Sequence, residues 1–284
     1  MSRSRVATIS KIAWLDHLSS VVKTLTAPIA GPSAPATLKD ALNGVWLGHP
    51  LHPLIVAIPI GAWTSAAVFD LAGDDRAADG AVLLGIAGGL ASAVTGATQY
   101  FDMATEKKPR RVGALHATLN ATALSCYVAS AVMRACGKRE SARALSMTGL
   151  GFVTGGGLLG GDLSYTLGLG VDHTAFEQRP SHWTDVVPEA ELPEGKPMRI
   201  EVDGAPVMLV RQNGAVYATS ATCTHLSGPL DEGEFDPRSC TIECPWHGSV
   251  FDVRNGNVVH GPATAEVPRY DVAIEGGRVK VRAI

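Results

Sequence analysis

Charge is scarce in this chain and unevenly spread. Charged residues make up 18% of 284 and sum to a formal −3, which excludes the basic footprint of a nucleic-acid binder and leaves electrostatics silent about a partner. Cysteine is scarce too. Cys126, Cys136, Cys223, Cys240 and Cys244 form an odd set without the spacing of a secreted disulfide framework, which suits a reducing compartment. Export signals are also missing by pattern: a serine splits Arg3 from Arg5, and no short apolar stretch with a small-residue cleavage site follows. Neither a twin-arginine nor a Sec signal is read, and the N-terminus is expected to stay on.

Apolar sequence is abundant instead, at 46%. Leu51–Phe69, Gly80–Phe101, Val112–Met133 and Ala144–Gly161 contain no Asp, Glu, Lys or Arg, and each is about as long as a bilayer demands. Short charged segments at Asp70–Asp79, Asp102–Arg111 and Arg134–Arg143 suit loops at alternate surfaces. Gly85 with Gly89, Gly151 with Gly155, and Gly157 with Gly161 sit four apart, which lets helices approach where lipid gives no hydrophobic drive. A soluble bundle with buried helices is the competing architecture, but uncharged runs without a polar face rarely occur in water. Ahead of the runs, Val6, Ile9, Ile12, Leu15, Leu18, Val22 and Leu25 recur at helical steps, predicting an amphipathic helix that lies in the interface or packs on the protein. Ala30–Ala36 reads as a linker. The predicted organisation is therefore multidomain: residues 1–42 an amphipathic segment and linker, 43–172 an all-α four-helix transmembrane bundle, and 183–284 an all-β domain.

Arg3, Arg5, Lys11, Lys23, Lys39, Lys107, Lys108, Arg110 and Arg111 flank one side of the bundle, and Arg76, Arg134, Lys138, Arg139 and Arg143 the other. This bias predicts a multi-pass protein of the cell membrane with both termini, and so the β domain, in the cytoplasm. Near that face, His49-Pro50-Leu51-His52-Pro53 opens the first run and His116 lies early in the third. These histidines form a possible second metal or haem b site, at a level shared with Tyr100, Asp102, Asp162, Tyr165 and His173, because polar residues at membrane depth default to function. Alternatively His49 and His52 dress the helix start and His116 bonds a neighbouring helix. The His-Pro-x-His-Pro opening resembles that of a family of small four-helix membrane proteins of unknown function, a likeness that supports architecture and not chemistry.

From about Ser181 the pattern shortens to alternating runs bounded by Asp203-Gly204, Asn213-Gly214, Asn255-Gly256 and Gly276-Gly277. Strands are predicted at Met198–Val202, Val207–Gln212, Val216–Ser220, Val250–Asp252, Asp271–Glu275 and Arg278–Arg282. Within them lie Cys223-Thr224-His225 and Cys244-Pro245-Trp246-His247, separated by eighteen residues. Each segment offers a thiolate and an imidazole, the donors of a two-iron cluster whose irons take unlike ligands. The four donor types alone also permit a Cys₂His₂ zinc site. Cys240, and likewise Cys126 and Cys136, read as small packed residues rather than ligands.

Cys223-Thr224-His225-Leu226, then Cys244 through Asp252 (CPWHGSVFD), then Gly261-Pro262-Ala263 resemble the Rieske [2Fe–2S] family over roughly Trp183 to Ile284. The resemblance implies an antiparallel β-sandwich. It also implies that Cys223 and Cys244 bind the inner iron, that His225 and His247 bind the outer one, and that the Gly261-Pro262 turn covers the cluster. High-potential members brace the loops with a disulfide, where this chain has Gly228 or its neighbours and Trp246. They also set a Tyr hydroxyl against a cluster cysteine, where this chain has Phe251; Ser249 remains to donate to the cluster sulfur. Fewer donors predict a ferredoxin-like potential toward the low end of the Rieske range of about −150 to +300 mV.

The function that follows is one-electron transfer by a membrane-tethered carrier, an electron-transfer component rather than a stand-alone catalyst. A cytoplasmic reductase or ferredoxin would be the donor, the acceptor is unidentified, and a quinone or cofactor in the bundle is one candidate. A Rieske oxygenase would need a mononuclear iron domain, for which the chain ends too soon after His247. A redox sensor or membrane scaffold is the alternative from a different class.

Overall fold

The computed structural model describes residues 2–103 and 106–284, with side chains from Arg5 onward; Arg3's side chain and part of the predicted Asp102–Arg111 loop therefore lie outside the described residues. The chain divides into two compact units, one of Met1–Asn43 and Pro50–Leu169, the other of Gly44–His49 and Gly170–Ile284.

The first unit is helical: α1 (Ser2–Ile9), α2 (Leu15–Ala30), α3 (Ala36–Asn43), α4 (Leu51–Ile55), α5 (Ala57–Ala72), α6 (Asp75–Met103), α7 (Lys107–Ala135) and α8 (Arg139–Gly161), followed by a π-helical turn at Asp162–Thr166. The division between α4 and α5 falls at Val56, just after Ile55, whose carbonyl is the one that Pro59, four residues on and without an N–H, cannot bond. The predicted N-terminal helix is broken at Ser10–Trp14 into α1 and α2. Its apolar stripe is turned inward, with Val6, Ile9 and Leu15 buried against Val112, Leu159 and Leu163, so the packed alternative holds. The charged segments read as loops are largely helical, because α6 starts at Asp75, α7 runs from Lys107 and α8 starts at Arg139.

Packing in this unit is inverted relative to a water-soluble bundle. Leu54, Ile58, Val68, Leu71, Leu83, Leu84, Leu90, Val128, Val132, Met147 and Leu158 face outward, whereas Asp70, Ser92, Thr95, Thr98, Ser130, Arg134, Ser146 and Asp162 are buried. Inside, glycines admit large rings. A Cβ on Gly85 would fall 2.1 Å from Trp63, and one on Gly149 2.8 Å from Tyr127; Trp63 and Tyr127 stack with centroids 4.1 Å apart. On α8 the close-packing glycines are Gly149, Gly156 and Gly160, each meeting a side chain of α7, while Gly151 and Gly157 face open space. Of the predicted four-residue pairs there, only Gly155 meets α7, 3.5 Å from Leu119, since α8 is glycine-rich all round and spacing alone does not choose a face.

Two segments are long and apolar enough to cross a membrane among the described residues: Leu51–Ala72, mean hydropathy 1.8, and Asp75–Met103, mean hydropathy 1.7, with only 28% of each apolar stretch buried. The predicted four-span bundle is thus seen as a helical unit with two candidate spans. α7 carries four basic residues in its first turns together with Arg134, His116 and Asn120, and α8 draws its length from glycine rather than from large apolar residues, which lowers the hydropathy of both. Ion pairs gather at the helix ends. Buried Arg134 holds Asp70 and reaches Asp79 at 3.0 Å, and Arg139 and Arg143 add bonds to Asp79 and Asp75 at 2.8 and 3.0 Å. Elsewhere Arg5 grips Asp162 at 2.6 and 2.9 Å, and Arg110 and Arg111 each reach Asp16 at 2.8 Å.

The second unit carries β1 (Thr184–Pro188), β2 (Met198–Val202), β3 (Ala205–Gln212), β4 (Ala215–Ser220), β5 (Glu234–Asp236), β6 (Thr241–Glu243), β7 (Val250–Asp252), β8 (Val258–His260), β9 (Arg269–Glu275) and β10 (Arg278–Ala283). They form a six-stranded sheet, β1-β10-β9-β4-β3-β2, and a four-stranded one, β5-β6-β7-β8, with antiparallel pairing throughout. Asp203-Gly204 and Asn213-Gly214 take positive φ of 52 and 83°, and 53 and 76°, the geometry that two-residue hairpins require. Met208 and Val210 of β3 meet Ile242 of β6 and Phe251 of β7 in one core, which makes the unit a sandwich.

Candidate metal centre

Two loops built alike present the cysteine and histidine side chains. In the first, between β4 and β5, Cys223 N–H donates to Gly228 O (2.8 Å) and Ser227 N–H returns to Cys223 O (3.0 Å). In the second, between β6 and β7, Cys244 N–H donates to Ser249 O (2.8 Å) and Gly248 N–H returns to Cys244 O (3.0 Å). The residue four beyond each cysteine takes positive φ, 60° at Ser227 and 74° at Gly248, curling the chain so that following amides point back at the sulfur. Cys223 accordingly accepts from the backbone of His225 and Leu226, and Cys244 from that of Trp246 and His247. Such donors stabilise negative charge on sulfur.

The loops meet face to face. The two thiol groups hydrogen-bond each other, which raises the Cys223 pKa and lowers that of Cys244. The rings of His225 and His247 lie with centroids 5.0 Å apart and planes at 86°. Burial, then the neighbouring His247 and His173, push His225 down to about 3, leaving it the neutral imidazole that metal ligation requires. Its Nδ1 is buried without a hydrogen-bond partner, as a nitrogen kept for a metal would be. Among the described residues no three His, Cys, Asp or Glu side chains converge on one point.

A third segment fastens the pair. Ala263 N–H donates to Ser249 Oγ (2.9 Å), and Thr224 Oγ1 donates to Ala265 O (2.8 Å), so residues 263–265 are tied to both ligand loops; Ser249, expected as a sulfur donor, is fully buried as an acceptor from Ala263. Gly228 stands where the loops touch. A Cβ there would come 2.7 Å from Cys244 Sγ and 3.3 Å from the Trp246 ring. All five cysteines are free, and Cys240 is buried in the core beside the site.

His173, placed by sequence at the membrane level, lies in this second unit. Its backbone N–H donates to Thr224 O at 3.1 Å, and it is a neighbour of His225. Sequence reading missed this contact; the signal was the Asp172-His173-Thr174 turn, in which Asp172 accepts from the Thr174 amide (2.8 Å) and hydroxyl (2.7 Å). In the helical unit His52 and His116 come together, ring centroids 6.4 Å apart, while His49 groups with the other unit. Tyr100, Asp102 and Asp162 do not join them but hold the N-terminal helices: Tyr100 donates to Ser19 Oγ at 2.6 Å, Asp102 accepts from Asn43 at 3.4 Å, and Asp162 pairs with Arg5. Tyr165 is exposed.

Comparison with known proteins agrees with this division. Residues 182–271 match the Rieske [2Fe-2S] domain, and residues 48–173 match the family described as "Predicted membrane protein (DUF2231)". Over 99 residues the chain is 37% identical to the ferredoxin component of a naphthalene 1,2-dioxygenase system from Pseudomonas aeruginosa, covering 35% of this chain and 93% of that protein. It is 36% identical over 93 residues to the 3-phenylpropionate/cinnamic acid dioxygenase ferredoxin subunit of Escherichia coli K12, covering 32% and 85%. Among solved structures, the ferredoxin of carbazole 1,9a-dioxygenase from Nocardioides aromaticivorans IC177 is 38% identical, with a TM-score of 0.35, covering 37% of this chain and all of that one.

Proposed function

Because the chain belongs to the Rieske [2Fe–2S] family, we propose that Cys223, His225, Cys244 and His247 hold its cluster and that the protein is a membrane-anchored carrier of single electrons. When bound, the cluster supplies a one-electron couple. The chain's part is to hold it: Cys223 and Cys244 supply the thiolates, His225 and His247 the neutral imidazoles, and four backbone amides temper the charge on sulfur. The observation that carries this reading is the matched pair of loops, each carrying one thiol and one imidazole, with the two thiols hydrogen-bonded to each other and the two imidazole rings 5.0 Å apart.

A reductase or ferredoxin on the cytoplasmic side is the donor. The relatives named above are ferredoxin components of dioxygenase systems, which makes an oxygenase one class of acceptor and a membrane cofactor another. The outward Val128, Val132, Met147 and Leu158 support α7 and α8 crossing the bilayer beside α4–α5 and α6, with both termini cytoplasmic. In detergent, the purified protein is expected to give the optical and electron paramagnetic resonance signals of a reduced Rieske cluster, a midpoint in the lower part of the range, and repeated turnover between a reductase and an acceptor. A zinc-loaded protein without sulfide, or a strongly positive midpoint, would overturn the assignment or its low-potential form respectively. A cluster that titrates but never turns over would point to the sensor instead.

A further inference from the structure

The helical unit holds a second set of donors that the Rieske reading does not use. The Thr95 hydroxyl gives its proton to its own helix, to Ala91 O at 3.1 Å and Ser92 O at 3.2 Å. Its oxygen is then an acceptor for His52 Nδ1, 3.2 Å away. His116 Nδ1 lies 2.8 Å from Gly156 O, and a carbonyl only accepts. Both rings are thereby fixed as Nδ1–H tautomers, which leaves the lone pair of each on Nε2. Asn120 Nδ2 approaches His116 at 3.4 Å from Nδ1 and 3.2 Å from Nε2. Near-equal distances put it over the ring, out of line with the Nε2 lone pair, and its firm bond is to His116 O at 2.9 Å.

Glycines shape the surroundings. A Cβ on Gly96 would fall 2.8 Å from His52 Cε1, and one on Gly160 3.2 Å from His116 Cε1. Each imidazole is thus seated in a notch on a neighbouring helix and oriented through Nδ1, the arrangement in which metal-ligating histidines are held.

The spacing between the rings selects a geometry. With a metal–nitrogen bond of about 2.0–2.1 Å and a ring centre about 1.1 Å further on, two trans imidazoles place their centroids about 6.3 Å apart, and a tetrahedral pair about 5.2 Å apart. The observed separation is 6.4 Å, with planes at 81°, a spacing that accommodates a trans pair. A metal with trans imidazoles needs equatorial donors, and no third His, Cys, Asp or Glu converges on this pair among the described residues. A porphyrin brings four such equatorial donors of its own.

We propose that His52 and His116 are the two axial ligands of a haem bound between α4 and α7 inside the helical unit. The test uses the full chain in detergent, from cells supplied with a haem precursor and, in parallel, after titration with hemin. One six-coordinate low-spin haem per chain is expected, with a Soret band and sharp visible bands on reduction. His52→Ala and His116→Ala should each lose the low-spin spectrum, and added imidazole should restore it. The Rieske paramagnetic signal in the same samples reports folding and separates this proposal from the cluster assignment, since either can fail alone. Should the variants not fold, near-infrared magnetic circular dichroism of the oxidised wild-type protein identifies the axial pair without substitution. A wild-type protein that keeps its cluster but takes up no haem overturns the proposal, as does a haem whose axial pair is not bis-imidazole or whose spectrum is unchanged in both variants.

Discussion

The two units solve the same burial problem with opposite signs. In the β-sandwich the large apolar residues Met208, Leu209, Leu230, Ile242 and Phe251 are inside and Lys280, Glu275 and Arg282 pair at the surface. In the helical unit many leucines and valines, such as Leu71, Leu83, Leu90 and Val132, are outside, while glycine, alanine, hydroxyls and an Arg–Asp cluster share the interior with a smaller apolar set that includes Leu15, Val82 and Val112. The sandwich follows the hydrophobic effect in water. Among the helices close packing and internal hydrogen bonds do that work, as where the solvent is itself apolar. The contrast teaches that orientation of side chains, more than total hydrophobicity, identifies the solvent of each unit.

The largest expected effect tests whether the sandwich's tip depends on its own chemistry alone. Cys223→Ser or Cys244→Ser should abolish the cluster's visible absorption and paramagnetic signal while helical circular dichroism stays unchanged; loss of helix would break the division into units. Next comes the helical interior. Arg134→Ala strands Asp70, both nearly unexposed at 3% and 7%, and should destabilise by about 3–5 kcal/mol, with much recovered when Asp70→Leu is combined with Arg134→Leu; unfolding in mixed micelles measures both. A matched pair then sharpens the comparison directly. Leu90→Arg, on the outer face of α6 at 55% exposure, should cost about 2.5–3.5 kcal/mol in a membrane-insertion assay. Ile274→Arg, on β9 at 42%, should change denaturant stability by less than about 0.5 kcal/mol. Equal tolerance at both sites would remove the case for two solvents.

The smallest effect is at Asp16, held well below the ordinary carboxylate value by the Arg111 and then the Arg110 guanidinium. A lowered folded-state value means that its contribution is complete above the unfolded pKa of about 3.9 and fades as pH falls through the lower one. Asp16→Asn should therefore lose a little stability at neutral pH and show a shallower acid decline in a pH series, with the difference shrinking as salt is raised.

Much of this was legible in the residues, for stateable reasons. Strands β2 and β7 were read to the residue and β3, β4, β9 and β10 to within two, because dipeptide turns at positions such as Asn213-Gly214 dictate their own geometry. β1, β5, β6 and β8 were missed, the last three being only three residues long. The helices were legible as uncharged runs, but their ends were not. Charge at Asp75, Lys107 and Arg139 marks where an uncharged run stops, not where the helix does. At the metal centre the cysteines and histidines stood out by type and spacing. The amides of Leu226 and Trp246 and the approach of His173 did not, since a backbone donor has no letter in a sequence.

The absence of a side chain at Gly228 has a last consequence. With Cys244 Sγ and the Trp246 ring filling that spot, no disulfide rivets one loop to the other, and on the proposed reading the inorganic core joins them alongside the hydrogen bonds of residues 263–265. Iron uptake and ordering of this tip become a single equilibrium, so a chelator should loosen the two loops locally, exposing their amides to hydrogen exchange while the six-stranded sheet stays protected.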